Sequence, residues 1–302
     1  MGLHENANIT QAINEANDIF GSVLKLTSAS QSESGGGSGS EADLAMKMTQ
    51  DILAQIREPF KIKEVEKQFP FKYEESMNSV LLQELARFNS LIEVIKETLV
   101  ALQRTLEGKL VTNAETEELQ ASIMNNAIPE KWRKKSYPSR KPLMAYVADL
   151  KRRLEMLDTW IRDGQPNVFW ISGFFFTHSF LTGVKQNFAR ANGHPIDRVD
   201  FQYRVLQEAE ASRAHAVAPE LGAQVHGLYL EGAAWDDENG VLRESDPKII
   251  YTLMPIIHFI PVYEAPPDQT IADGSDDMRS ASPSRDMSSL SQIGTAGRPD
   301  PR

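Results

Sequence analysis

The sequence predicts an α+β protein with its helices first and its antiparallel strands last. Three observations carry that prediction. Apolar residues recur in steps of three and four up to about residue 191. After about residue 196 the spacing changes to alternation, with Val199, Phe201, Tyr203 and Val205 separated by polar residues. An Asn239-Gly240 pair then supplies a hairpin signal inside the run Asp236 to Gly240.

In order along the sequence, residues 3–26 form an amphipathic segment whose apolar side is Ile13, Ala16, Ile19, Phe20 and Val23. Residues 27–40 (TSASQSESGGGSGS) have nothing to fill a core and read as a flexible linker or loop. Helical spacing returns over 41–57 with Leu44, Met48, Ile52 and Ile56, and Pro59 closes it.

The clearest helix begins near Ser76. Leu81, Leu85, Phe88, Ile92, Ile95, Leu99, Leu102 and Leu106 form a stripe along it, and Gly108 is its stop. A coiled coil would use this spacing. Val80, Leu82, Val94 and Val100 widen the stripe beyond a narrow seam, which favours packing within the molecule.

Thr112 followed by Glu115 matches a capping box for the next helix, which must end before Pro129. Leu143, Val147, Leu150, Leu154, Leu157 and Ile161 share the face of another helix, ended by Gly164 and Pro166. A further helix falls within 177–191, closed by Asn192-Gly193 and Pro195. Between these two lies the very apolar stretch 167–184. Its length barely reaches a membrane span, and Thr177, His178, Ser179 and two glycines favour a buried core segment. Among the later segments, Val225, Leu228 and Leu230 suggest a strand. Residues 248–262 are β-rich, and Pro255 and Pro261 argue there for edge or bent strands. From Pro266 onward the sequence is too polar to offset its ordering entropy, so a disordered tail is expected.

Composition limits the chemistry. The net charge of −10 argues against an overall basic surface for nucleic acid. The absence of cysteine excludes disulfides, thiolate-bound zinc and a thiol nucleophile. Gly108-Lys109 is followed by Leu110 and lacks the earlier glycine of a phosphate loop. The six histidines are scattered, with no paired spacing for a metal, and no nucleophile elbow occurs. The carboxylate pairs Asp236/Asp237 and Asp276/Asp277 fall at a hairpin turn and in the polar tail. One cluster stands out: Lys131, Arg133, Lys134, Lys135, Arg140 and Lys141, interleaved with Trp132 and Tyr137. It reads either as a solvated loop anchored by its aromatics or as a docking patch for an acidic surface.

Several ordered runs resemble the C-terminal domain of dynein heavy chains. They are residues 73–78 (YEESMN), 128–132 (IPEKW), 135–139 (KSYPS), 168–176 (VFWISGFFF), 180–183 (FLTG), 186–190 (QNFAR) and 226–233 (HGLYLEGA), followed by Trp235-Asp236. Residues 2–10 (GLHENANIT) resemble the segment leading out of the last AAA module of that family. Trp235 looks axonemal, and residues 73–78 and 135–139 look closest to inner-arm types.

The resemblance implies an N-terminal helical bundle followed by an antiparallel β-barrel-like subdomain. Residues 1–60 would be the end of the last AAA module and its lid, 61–195 the helical part, 196–264 the β subdomain and 265–302 the tail. It implies a structural and regulatory role: the domain lies across the AAA ring of a minus-end-directed motor for ciliary or flagellar movement, with no catalytic site of its own. ATP and Mg belong to upstream AAA modules. The implied partners are the rest of the heavy chain, intermediate and light chains, and microtubules only through the full motor, with neither nucleic acid nor membrane. The implied place is the cytoskeleton of the cytoplasm and the axoneme. A free-standing interaction module with the same fold, binding a dynein ring or another axonemal protein, is the alternative. The candidate core anchors are Trp170, Phe174, Phe175, Phe180 and Trp235. Axonemal members continue past the strand at 256–262 with further strands, where a polar tail stands here.

Overall fold

A computed structural model describes residues 38–264. The amphipathic segment, most of the Gly/Ser run and the tail expected from 265 lie outside the described residues. Eight α-helices and eight strands are present among those described.

Helix α1 (Ser38–Gln55) is followed by the short α2 (Ile62–Gln68) and the long α3 (Ser76–Leu106). Helix α3 is the spine. Leu81, Leu85, Phe88, Ile92, Ile95, Leu99 and Leu102 are fully or almost fully buried along it. Val80 and Leu82 are buried too, so the wide stripe packs within the molecule; Val100 faces solvent.

In α1 the buried face is Ala45, Thr49 and Ile52, continued by Ile56 just past its end, and Leu44 is half exposed. Helix geometry explains the miss: each residue turns about 100°, so a run spaced strictly by four drifts about 40° per step. Ala45, seven residues before Ile52, stays on the inner face, and Leu44 rotates off it.

Helix α4 (Ala114–Met124) opens one residue later than a Thr112 cap would place it. Asn113 is the cap: its side chain accepts from Thr116 N at 2.9 Å, and Thr116 Oγ1 accepts from Asn113 N at 3.0 Å. Next come α5 (Glu130–Lys135) and α6 (Leu143–Asp163), the latter burying Leu143, Val147, Leu150, Leu154 and Leu157.

The apolar stretch 167–184 is broken rather than helical throughout. It forms β1 (Val168–Trp170), a 3₁₀ turn over Ile171–Gly173 and then α7 (Thr177–Asn192). No helix among the described residues is long and apolar enough to cross a membrane. Gly193, left-handed at φ 65°, closes α7.

The strands are β2 (Val199–Val205), β3 (Ala223–His226), β4 (Tyr229–Glu231), β5 (Ala233–Asp236), β6 (Val241–Glu244), β7 (Tyr251–Leu253) and β8 (Ile257–Tyr263), with α8 (Glu208–Ala216) between β2 and β3. They form an open four-stranded sheet of order β1-β3-β8-β2 and two ribbons, β4-β7 and β5-β6. Among the described residues no barrel closes. The sheet is mixed rather than purely antiparallel, because β1 runs parallel to β3, with Trp170 opposite His226.

Strand β8 is interior despite Pro261. Its pairing with β3 stops at Ala223 opposite Phe259, two residues short of the proline. Beyond that point β8 is an edge on the β3 side, so the missing N–H breaks no ladder bond there. Pro255 falls in the connection between β7 and β8.

Candidate functional site

The basic cluster is built on α5 and the loop after it. Its six-residue helix is too short to show a period, which is why the segment reads as a loop. Trp132 is fully buried and its indole N–H donates to Thr98 Oγ1 of α3 at 2.8 Å. Tyr137 is also buried, packed against Phe88, Phe175 and Tyr146. Its hydroxyl donates to Asp149 Oδ2 at 3.0 Å. Two aromatic anchors therefore hold the segment, one on each side of Ser136.

The cations divide by what they touch. Lys131 pairs with Glu115 at 3.2 Å, Arg133 with Glu130 at 3.3 Å, and Lys134 stands 3.9 Å from Glu130. Lys141 pairs with Asp149, which also accepts from Arg153 Nε at 2.7 Å. Lys135 and Arg140 are exposed, and neither has an ion-pair partner among the described residues.

Asp149 sits almost out of water beneath this loop. Burial pushes its pKa up, but the hydrogen bonds and charges of Lys141 and Arg153 prevail and hold it below the usual carboxylate range. Burial pushes the neighbouring Tyr146 hydroxyl up to about 12 and raises the Tyr137 hydroxyl further. Both hydroxyls stay un-ionised at neutral pH and act as hydrogen-bonding struts rather than acids or bases.

The candidate anchors lie at the junction of helices and sheet. Phe174 and Phe180 are buried and pack with Phe169 and with each other, ring centroids 4.9 Å apart. Phe175 is partly buried, edge-on to Phe88 at 5.3 Å. Trp235 packs against the core from β5 while partly exposed. Trp170, also partly exposed, lies under the Arg152 guanidinium at 4.4 Å. Gly173 and Gly227 make room for its ring: a Cβ on either would come within 2.5 Å of it. Gly227 also has φ of 86°, which disfavours any other residue.

Sequence reasoning missed Glu84. This α3 carboxylate has no exposed side-chain surface and accepts from the backbone N–H groups of Phe175 and Phe176. Arg87, one turn on, reaches it at 3.1 Å. Burial raises the Glu84 pKa, and the two amides and Arg87 offset only part of that. A signal was available: Glu84 lies between Leu81 and Phe88 on the apolar stripe, where a carboxylate must find partners. Asp149 carried no comparable signal, because Lys141 and Tyr137 reach it through the loop fold.

The described residues contain no group of three or more His, Asp or Glu that could hold a metal ion. His258, in the β8 ladder, has Nε2 at 2.6 Å from the Leu221 carbonyl, and His178 is exposed on α7. Asp236 serves its hairpin turn, accepting from Glu238 N at 3.0 Å and Asn239 N at 3.1 Å.

Residues 13–276 match the family model for the C-terminal domain of the dynein heavy chain. The match begins within the segment assigned above to the AAA lid and runs past residue 264. The sequence is 46% identical over 260 residues to dynein axonemal heavy chain 1 of Mus musculus, covering 86% of this protein and 6% of that one. It is 44% identical over 260 residues to dynein axonemal heavy chain 12 of Mus musculus, covering 86% of this protein and 8% of the relative. It is 47% identical over 261 residues to dynein axonemal heavy chain 3 of Homo sapiens, covering 86% of this protein and 6% of the relative. The matched region thus spans 6–8% of the length of these curated relatives.

Proposed function

We infer the function of this protein from one premise: it belongs to the family of dynein heavy-chain domains that lie at the C-terminus of the motor polypeptide. Its work is mechanical. It supports and regulates the AAA ring of an axonemal dynein heavy chain in a cilium or flagellum. ATP hydrolysis and the grip on microtubules belong to other parts of the motor, as do its intermediate and light chains. The domain itself takes no nucleotide.

The observation that supports this reading is an uncovered apolar face in the β part. Tyr229 and Leu253 stand opposite each other in the β4-β7 ribbon, with Glu231 and Tyr251 next along the same face. Tyr229, Tyr251 and Leu253 are each more than half exposed, as are Val241 and Leu242 in the β5-β6 ribbon, which adjoins β7. Tyr229, Tyr251 and Leu253, left uncovered on one face of the ribbon, suit an interaction site. Its occupant is the remaining heavy chain, most of which lies outside these residues. Closure of the β part into a barrel-like form would require strands beyond those described.

The test is association with a dynein heavy chain truncated before this domain, followed by co-sedimentation. The wild-type protein should bind, and Tyr229→Asp/Tyr251→Asp/Leu253→Asp should not, while keeping the same thermal midpoint. Equal binding by both proteins would remove the β ribbon from the interface. Saturable binding of ATP by the isolated protein would overturn the claim that it takes no nucleotide.

A further inference from the structure

We propose that α5 and the loop after it form a preorganised docking platform for a carboxylate-rich protein segment, separate from the apolar β face. Charge is the first observation. The protein has a net charge of −10, yet six cations fall between residues 131 and 141. Three carboxylates, Glu115, Glu130 and Asp149, meet four of them. Arg153 also draws on Asp149, so the local surplus stays positive. Lys135 and Arg140 remain exposed and without an ion-pair partner among the described residues.

Rigidity is the second observation. A free basic loop would lose conformational entropy on binding, and this one has already lost it. Trp132 is held by Thr98, Tyr137 by Asp149, and Ser136 Oγ lies 2.7 Å from the Tyr146 hydroxyl. Pro138 restricts the backbone between Lys135 and Arg140. The two free cations are therefore presented from a fixed frame.

The same anchoring selects the class of partner. Binding of single-stranded nucleic acid uses exposed aromatic rings on which bases stack. Membrane-surface binding uses apolar side chains that enter the headgroup layer beside the cations. Both aromatics of this segment are turned into the core, so it offers no ring for stacking on bases or insertion among headgroups. What remains is surface charge alone, which suits an Asp- or Glu-rich peptide. The groove beside α5, about 460 Å³, is a poor second site for it, because four of its lining carboxylates, Glu97, Glu115, Glu118 and Glu130, outnumber Lys131 and Lys134.

The experiment uses the full 302-residue protein and a fluorescein-labelled polyglutamate peptide, read by fluorescence anisotropy at low and physiological salt. Saturable binding that weakens with salt is expected. Lys135→Glu/Arg140→Glu should lower the affinity about tenfold or more. Lys63→Glu/Lys67→Glu, which makes the same change in net charge on α2, should leave it unchanged. Circular dichroism and the thermal midpoint establish that each variant is folded; Lys135→Gln/Arg140→Gln replaces the charge reversal if that variant is not. No binding at low salt, or equal loss in the two reversal variants, overturns the proposal. Tighter binding to phosphatidylserine/phosphatidylcholine vesicles or to a single-stranded RNA oligonucleotide than to the peptide overturns it in favour of those partners.

Discussion

The helical part and the β part of this protein satisfy their apolar residues differently. In the helices, one long spine is covered from several sides. The stripe of α3 is buried from Met77 to Leu102, and α1, α2, α4, α5 and α7 pack against it. In the β part, four of the seven strands after residue 195 have only three or four residues and pair in two-stranded ribbons. Such ribbons are marginal on their own, and they leave Tyr229, Val241, Leu242, Tyr251 and Leu253 in contact with solvent. The helical part supplies its own partners, whereas the β ribbons leave apolar side chains uncovered.

The contrast can be broken most forcefully at the junction aromatics. Phe180→Ala should cost about 3–5 kcal/mol, because Phe180 is fully buried among Phe169 and Phe174. Chemical denaturation measures it, and an unchanged midpoint would mean that this aromatic cluster is not the core.

Glu84→Ala should cost about 2–4 kcal/mol, since the amides of Phe175 and Phe176, just before α7, lose their acceptor. The pH dependence sharpens the point. The Glu84 pKa is raised on folding, so its contribution favours the fold below the ordinary carboxylate pKa and is lost as pH rises through the raised value. Asp149 behaves oppositely: its lowered pKa contributes stability at neutral pH that is lost as pH falls through the folded value. Glu84→Gln should therefore flatten the decline above the carboxylate range, and Asp149→Asn the decline on the acid side. A Glu84→Gln curve parallel to wild type would contradict the assigned direction.

Gly227→Ala should cost about 2 kcal/mol, because the added methyl meets the Trp170 ring at a positive φ. Hydrogen exchange should speed up in β1 and β3 and not in α3. Uniform acceleration would show that sheet and bundle unfold as one unit, and the contrast between them would fail. The smallest effect is expected on the exposed ribbon. Tyr251→Ser should shift stability by no more than about 0.5 kcal/mol. A larger loss would place that residue in the core after all.

The sequence determined the features that depend on local periodicity and punctuation. The α3 and α6 stripes, the Gly193 stop and the Asp236–Gly240 turn all follow from neighbours within a few residues, where helix and turn geometry leave little choice. The α+β order was legible for the same reason, and the ordered motifs carried the family. Where geometry could be satisfied in more than one way, the reading slipped. Asn113 caps α4 instead of Thr112, Leu44 drifts off the α1 face, and the short helices α2, α5 and α8 show too few turns to declare a period. Only the tertiary structure decided the long-range contacts. It set β1 parallel to β3, let Pro261 lie in an interior strand past the end of its neighbour, and placed Glu84 over the amides of residues 91 and 92 positions away. It also turned Trp132 and Tyr137 inward and left Lys135 and Arg140 outside. The physical reason is the same throughout: such choices rest on burial and hydrogen bonding between segments far apart in sequence, which no local spacing encodes.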